Sequence, residues 1–232
     1  MRVAANREDT ARGRASIVSL VSLEFDERPA AGDPEGLLLL HHGRGADEHD
    51  LVGLAEVLDP ERRLHVITPG GPLRLPGWPG RHWYTVPRVG YPDPESFEAS
   101  RRALADFHDR TWERTGIGPE RTVLGGFSMG TVMSYTFGLD ADRAAPAGIL
   151  AFSGFIPTVE GWEPSLADRS ELPVFIAHGR NDNVIGVGFA EAARDLLRGA
   201  GLPVDYHEGA GGHQIDPAHV APARDWLAGR FG

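Results

Sequence analysis

The feature that most constrains this chain is the stretch VLGGFSMGTVM at residues 123–133. An apolar run opened by β-branched residues stops at Gly126, Ser128 follows two residues later, and apolar residues then recur with helical spacing. The chain is therefore predicted to turn from strand to helix at Ser128. So tight a turn needs residues without bulk two positions before and after the serine, and Gly126 and Gly130 meet that need. The pattern G-x-S-x-G predicts a nucleophile elbow, which holds the serine hydroxyl clear of its neighbours. It also directs the positive end of the new helix and the backbone N–H of Met129 toward the position where an oxyanion would form.

The rest of the chain alternates predicted strands with helices, which is typical of an α/β fold with a mostly parallel central sheet and helices on both faces. Four consecutive leucines at residues 37–40 predict a central strand buried on both faces, whereas the alternation at 16–25 predicts a half-buried edge strand. In such a sheet, sites lie at the carboxyl ends of the strands. The other predicted strands are 64–68, 148–152, 173–177 and 204–207. The predicted helices are one with Leu51, Leu54, Ala55 and Leu58 on one side, one that follows the elbow serine, and those at 97–115, 188–197 and 217–227.

Length and composition narrow the class of protein. With 232 residues, 41% of them hydrophobic and 24% charged, we expect a single domain over residues 16–232 after a mobile tail at 1–15. The net charge of -10 argues against nucleic acid or an anionic membrane as a partner. No apolar stretch has the length of a signal peptide or a membrane span, so we expect a cytoplasmic protein with no membrane span.

Two residue types are missing altogether, and their absence excludes several chemistries. The chain has no cysteine, which excludes disulfides, thiolate catalysis and thiolate metal sites. All 23 basic residues other than histidine are arginine, so Schiff-base chemistry, a pyridoxal enzyme and a P-loop with its lysine are excluded as well.

A serine is unreactive without a base, so the remaining question is whether an acid and a histidine follow it in the chain. Asp182 lies in the loop directly after a predicted buried strand, and His213 follows a glycine-rich link after the last strand. This order of serine, acid and histidine is the one that the elbow architecture requires. Asp182 as a simple turn residue and His213 as a capping or surface residue are the alternatives, and Asp205, inside the last strand, is a weaker candidate for the acid.

In the chemistry that these positions predict, His213 takes the proton of Ser128, Asp182 stabilises the resulting imidazolium, and Ser128 attacks an acyl carbonyl. The oxyanion would lie between the backbone N–H groups of Met129 and Arg44. Two other serines are weaker candidates, since Ser134 lies inside the elbow helix and Ser153 lacks a glycine before it. His41 and His42 are expected to brace the oxyanion loop, because an adjacent pair without a suitably spaced carboxylate is weak evidence for a metal site, so we predict no metal.

Residues 69–94 lack periodicity and are rich in proline, glycine and aromatic residues. A loop of this length in a compact domain is usually functional, and its aromatic residues predict a wall for an apolar pocket. We expect Trp78, Trp83 and Tyr84 to contact the substrate. The alternative is a rigid surface excursion whose tryptophans cover the core.

Five motifs, taken together and in this order, resemble the phospholipase/carboxylesterase family of α/β hydrolases, which includes the acyl-protein thioesterases. The resemblance runs from about residue 16 to the end of the chain. The motifs are LHHGRGADE at 40–48, GGFSMG at 125–130, FSGFIP at 152–157, HGRND at 178–182 and GH at 212–213.

The resemblance implies a seven-stranded sheet, hydrolysis without a cofactor, and Ser128, Asp182 and His213 as the catalytic residues. It implies the main chain of Arg44 as an oxyanion donor, and Phe155 in the third motif is expected to contact the substrate. The chain departs from the thioesterase branch at Met129, where that branch carries glutamine, and at Arg44, where the family often has an apolar residue. These differences favour a bacterial-type carboxylesterase over an enzyme for long-chain acyl proteins.

The sequence thus predicts a serine hydrolase that cleaves small-molecule carboxylic or thio esters with short to medium acyl chains. The alternatives are a binding protein on the same fold whose three residues are misaligned or occluded, and a peptidase, for which this length hardly leaves room for the extra domain. The Arg44 side chain predicts a preference for an anionic substrate, unless it pairs with Asp47 or Glu48. The sequence leaves open whether the chain forms a homodimer.

Overall fold

The computed structural model describes residues 22–231, which contain seven strands and five α-helices. The predicted tail at 1–15 and most of the predicted first strand at 16–25 lie outside the described residues. The strands are β1 (Phe25–Arg28), β2 (Gly36–His41), β3 (Leu64–Pro69), β4 (Thr122–Phe127), β5 (Gly148–Phe152), β6 (Val174–Gly179) and β7 (Val204–Gly209). The α-helices are α1 (Val52–Leu58), α2 (Pro94–Thr115), α3 (Met129–Gly138), α4 (Gly188–Gly199) and α5 (Val220–Ala228).

The seven strands form one sheet in the order β1-β3-β2-β4-β5-β6-β7. Strand β1 runs antiparallel to β3, and all the other neighbouring pairs are parallel. The fold is therefore the mostly parallel α/β architecture that the sequence predicts. The parallel strands bring the ends of β2, β4, β6 and β7 to one edge of the sheet, where the site described below is built.

The leucine run in β2 explains how the sheet acquires two cores. Leu37 and Leu39 pack into a core on one face with residues of α2, α3 and α4, whereas Leu38 and Leu40 pack on the opposite face with α1 and α5. Side chains alternate along a strand, so a continuous apolar run serves both faces at once. All six residues of β2 are buried, which confirms its predicted central position.

The first strand is where the sequence prediction is wrong within the described residues. Residues 22–24 have no regular structure, and β1 begins at Phe25, the last residue of the predicted strand. Strand β1 is nevertheless an edge strand, as predicted. It is held by pairing with β3 and by the buried side chain of Arg28, which donates to Asp59 over 2.6 Å. A polar segment fixed by an ion pair carries no apolar signature, so periodicity does not reveal it.

The other elements agree with the prediction to within a few residues, since α2 begins three residues early at Pro94 and the last predicted helix divides into a 3₁₀ turn and α5. Helix α2 begins after Asp93, whose carboxylate accepts from the backbone N–H of Ser96 over 2.9 Å, and it ends at Gly116 in a left-handed conformation. Within residues 22–231, none of the helices has the length and apolar character that crossing a membrane requires.

Candidate active site

Ser128 stands at the turn between β4 and α3 in a strained conformation, with φ at 56° and ψ at -118°. The two glycines of the motif are needed for space, since neither has a positive φ. A Cβ on Gly126 would lie 2.5 Å from the carbonyl carbon of Gly130, and a Cβ on Gly130 would overlap the carbonyl oxygen of His41. Gly126 therefore lets the elbow turn tightly onto its own helix, and Gly130 lets it pack against the end of β2.

The three residues that the sequence singles out come together in one hydrogen-bonded chain. His213 Nε2 lies 2.9 Å from Ser128 Oγ, and His213 Nδ1 lies 2.7 Å from Asp182 Oδ2. A carboxylate can only accept, so Nδ1 carries the proton and Nε2 is free to accept the serine hydroxyl. Ser128 is 7% exposed and the His213 side chain 17%, whereas the Asp182 side chain is fully buried.

Asp182 is held as a carboxylate by donors on both of its oxygens. Its Oδ1 accepts the backbone N–H groups of Val184 and Ile185, each over 2.8 Å, and Oδ2 faces His213. Burial alone would raise the pKa of Asp182, but the hydrogen bonds from His213, Ile185 and Val184 outweigh it and place the pKa below its usual value. A fixed negative charge therefore faces the imidazole of His213 at neutral pH.

His178 is a further contact of Asp182 to which sequence reasoning assigned no role. Its buried ring places Nε2 2.8 Å from the carbonyl oxygen of Ile185 and 3.3 Å from Asp182 Oδ2. Both of these atoms are acceptors, so Nε2 must carry the proton, and Nδ1 has no partner among the described residues. His178 thus donates to the Ile185 carbonyl and packs its ring beside the Asp182 carboxylate. The sequence feature that could have indicated this role is the position of His178 in HGRND, at the end of a buried strand and four residues before Asp182.

The loop that carries His213 is fastened to the loop after β6. The backbone N–H groups of Arg180 and Asn181 donate to the carbonyls of Gly209 and Gly211, over 2.8 and 3.0 Å. The Asn181 side chain also donates to the Ala210 carbonyl over 2.7 Å. The two loops that supply the acid and the histidine are therefore joined by the main chain, which fixes the distance between them.

The turn after β2 presents the backbone N–H of Arg44. His42 Nε2 accepts the N–H of Gly71 over 2.8 Å, so its Nδ1 carries the proton and donates to the Gly43 carbonyl over 2.7 Å. Because the Gly43–Arg44 peptide is trans, fixing its carbonyl points the Arg44 N–H the opposite way. Within the described chain, the N–H groups of Arg44 and Met129 donate to no backbone carbonyl. Burial lowers the pKa of His42 and keeps the ring in the neutral form that this arrangement needs.

The four residues predicted to contact substrate occupy different environments. Trp83 is wholly buried and donates from its indole to the His42 carbonyl over 3.0 Å, and Tyr84 is 2% exposed in the same core. Neither side chain offers surface to a ligand, so for these two residues the alternative, that the loop covers the core, describes the structure. Phe155 is 5% exposed, whereas Trp78 is 54% exposed. The predicted roles of Trp78 and Phe155 stay predictions.

The Arg44 side chain is exposed and lies over the ring of Trp78, 4.1 Å from its centroid. Within residues 22–231 its guanidinium forms no ion pair. The two predicted alternative partners have other contacts, since Glu48 pairs with Arg81 over 3.1 Å and Asp47 accepts the backbone N–H of His49. A cation–π contact thus places the charge of Arg44. That the Arg44 side chain favours an anionic substrate stays a prediction.

The weaker candidates are engaged elsewhere. Ser134 is buried in α3 and bonds to His41 and to the Gly130 carbonyl. Ser153 also has a positive φ of 51° and donates to the Gln214 carbonyl over 3.4 Å, which ties the end of β5 to the His213 loop. Asp205 lies in β7, where its Oδ1 is 2.9 Å from Nε2 of His207. The described residues contain no group of three or more His, Asp or Glu arranged to hold a metal ion.

The fold and this constellation define an α/β hydrolase. Residues 28–229 match the family described as Phospholipase/Carboxylesterase, and the chain belongs to that family. It is similar to acyl-protein thioesterase 1 of Neurospora crassa, with 28% identity over 88% of this chain and 90% of that protein. Among solved structures it resembles esterase PE8, with 28% identity, a TM-score of 0.77 and coverage of 90% of this chain and 99% of that one. It also resembles the Bacillus cereus carboxylesterase, with 25% identity, a TM-score of 0.77 and coverage of 91% and 96%.

Proposed function

We propose that this protein is a serine esterase that hydrolyses carboxylic esters, thioesters included, of short to medium acyl chains through an acyl-enzyme on Ser128. The observation that carries the proposal is the hydrogen-bonded chain from Ser128 through His213 to Asp182, with distances of 2.9 and 2.7 Å. Membership of a family whose relatives include carboxylesterases and thioesterases supports it.

Acylation begins when His213 Nε2 removes the proton of Ser128 Oγ as the oxygen attacks the carbonyl carbon of the ester. The Asp182 carboxylate stabilises the imidazolium through Nδ1. When the tetrahedral intermediate collapses, the bond from the carbonyl carbon to the leaving oxygen breaks, and His213 gives the proton to that oxygen. The products of this step are a free alcohol and an acyl group on Ser128.

The negative oxygen of the intermediate is stabilised by the backbone N–H groups of Arg44 and Met129, which donate to no backbone carbonyl within residues 22–231. Met129 is the first residue of α3, so the positive end of the helix adds to the effect. Donors of this kind are worth about 100-fold to 1000-fold each in turnover elsewhere. They are already fixed before substrate binds, by the tight packing of the elbow on one side and by the His42 contacts on the other.

Deacylation repeats the same steps with water. His213 Nε2 removes a proton from the water molecule, the hydroxide oxygen bonds to the acyl carbon, and the proton returns to Ser128 Oγ as the carboxylic acid leaves. Apart from the ester and the water molecule, the groups in this cycle are side chains and backbone amides of this chain.

The test compares the alanine variant of the proposed nucleophile, Ser128, with the alanine variant of Ser134, another serine that contacts a histidine. Ser128→Ala should lose at least about 10⁴-fold in kcat for p-nitrophenyl butyrate, since the covalent route disappears. Ser134→Ala is the control, because Ser134 also contacts a histidine but is buried.

A fluorophosphonate probe adds an independent measurement, since it labels only an activated serine. The native protein and Ser134→Ala should be labelled, and Ser128→Ala should not. Native protein that neither turns over esters nor takes up the probe would overturn the proposal and leave a binding protein on a hydrolase fold.

A further inference from the structure

A broad groove of about 690 Å³ opens beside His213, which is within the size range of small-molecule sites in proteins. We call it the His213 groove. One wall comes from the α1 segment and the other from the residues that follow His213, while Phe127 belongs to the same lining and packs against the imidazole with ring centroids 5.0 Å apart. Its apolar walls are formed by Leu51, Leu54, Val57, Ile215, Pro217 and Val220.

The position of His213 in this lining decides which part of an ester meets the groove. During acylation, the leaving oxygen must come within hydrogen-bond distance of His213 Nε2 to receive its proton. The carbonyl oxygen is directed to the N–H groups of Arg44 and Met129 instead. The chain attached to the leaving oxygen therefore extends from the side of the imidazole, and the His213 groove is bordered by His213 and not by Ser128.

The chemistry of the lining selects the kind of alcohol. Apart from His213 the lining contains no basic side chain, and its polar members are Asp50 and Gln214. The carboxylate of Asp50 would repel an anionic headgroup, whereas the leucine and valine side chains gain from covering hydrocarbon. We infer that the His213 groove binds the uncharged, apolar alcohol part of the ester. This inference rests on the proposed function.

A second apolar groove, of about 320 Å³, provides an internal comparison. It is lined by Tyr91, Phe155, Phe189 and Leu196, among others, and contains none of the three residues of the hydrogen-bonded chain. Leu196 is 44% exposed, much as Val57 is at 47% in the His213 groove. The same substitution at these two positions therefore separates an effect of this groove from a general effect of a polar group on the surface.

The experiment compares esters that share the butyryl group and differ in the alcohol, methyl butyrate against hexyl butyrate. Leu54→Gln and Val57→Gln should each lower kcat/KM for hexyl butyrate about fivefold and leave methyl butyrate within about twofold. Leu196→Gln should leave the ratio of kcat/KM for hexyl butyrate to that for methyl butyrate unchanged, because the two esters share the butyryl group and differ only in the alcohol. The decay of the butyryl-enzyme, measured by mass spectrometry after a pulse of p-nitrophenyl butyrate, should be the same in all variants because the alcohol has already left.

Three results would overturn the inference while leaving the esterase in place. They are an equal fall for methyl and hexyl esters, a change in butyryl-enzyme decay in the groove variants, and the same effect in Leu196→Gln. Native protein that hydrolyses none of the esters and is not labelled by a fluorophosphonate would reject both this inference and the proposed function.

Discussion

Two hydrogen-bonded series of side chains in this molecule both start with a serine and a histidine but differ in the third residue. In one, Ser128 contacts His213, which contacts Asp182; in the other, Ser134 contacts His41 over 2.9 Å, and His41 contacts His108 over 3.2 Å. Both pair a serine hydroxyl with an imidazole at hydrogen-bond distance. Distance between serine and histidine alone therefore does not distinguish a candidate nucleophile from a structural contact.

The difference lies in the third residue and in burial. Behind His213 stands a carboxylate, which favours the imidazolium that forms when the serine gives up its proton. Behind His41 stands a second imidazole, and His41, Ser134 and His108 are all fully buried. Burial lowers the pKa of His41 to about 3 and that of His108 well below its usual value, so neither ring takes a proton at neutral pH. A base needs both a stabilised cation and access to substrate.

The largest effect is expected when the negative charge of Asp182 next to His213 is removed, because this charge is what distinguishes the two series of side chains. Asp182→Asn should lower kcat by about 10⁴-fold, because the amide no longer stabilises the imidazolium and can favour the wrong tautomer of His213. The matched change in the series from Ser134 through His41 to His108 is His108→Gln, which should leave kcat within about threefold of the native value. Steady-state kinetics on p-nitrophenyl butyrate measures both. If Asp182→Asn kept more than a tenth of the activity, the series from Ser128 through His213 to Asp182 would not be the catalytic one.

A smaller effect is expected from the residue that supports Asp182. His178→Ala removes the donor that lies 3.3 Å from Asp182 Oδ2 and leaves the Ile185 carbonyl without that partner. We expect kcat to fall about tenfold with KM nearly unchanged, since the carboxylate is displaced but the substrate surface is intact.

His178→Gln is the control for this prediction, because its amide N–H can reach the position of the imidazole Nε2–H. It should recover most of the lost activity. Equal kcat for the alanine and glutamine variants would mean that the ring only fills space.

The smallest effect concerns stability at acid pH. The folded-state pKa values of His41, His42 and His108 are lowered by burial, so the unfolded chain binds more protons below about pH 6.5. Stability is then fully present above that pH and is lost as the pH falls. Between pH 6.5 and 5.5, His41 and His108 should each reduce the free energy of unfolding by about 1 kcal/mol, and His42 should add to this loss.

Urea unfolding at several pH values measures this loss. His108→Gln removes one of the three groups, so the dependence of its unfolding free energy on pH should be shallower by about one histidine. A slope identical to that of the native protein would show that His108 is protonated, or solvated, in the folded state.

The sequence predicts most of the fold because its strongest signals are local. The leucine run of β2 requires a strand that is buried on both faces. The glycines around Ser128 indicate a turn that has no room for side chains. The order of serine, acid and histidine placed the three candidate residues in loops at one sheet edge, and the structure brings them into contact.

What the sequence does not reveal depends on partners distant along the chain. Strand β1 is polar and is set by its pairing with β3, so periodicity placed it too early. Trp83 looked like a ligand contact because its loop has no regular structure, yet it packs against the turn after β2. The position of His178 beside Asp182 depends on the hydrogen bond that its buried ring donates to the Ile185 carbonyl, and this follows only from the atoms that surround the ring.

The burial of Trp83 also gives the molecule an internal fluorophore beside the oxyanion turn. Its indole is shielded from water and bonded to the His42 carbonyl, while Trp78 is 54% exposed beneath the Arg44 guanidinium. A quencher dissolved in water reaches the second ring and not the first. The emission that survives quenching therefore includes light from the ring that touches the peptide next to the candidate oxyanion donor, and it reports on that turn without an added label.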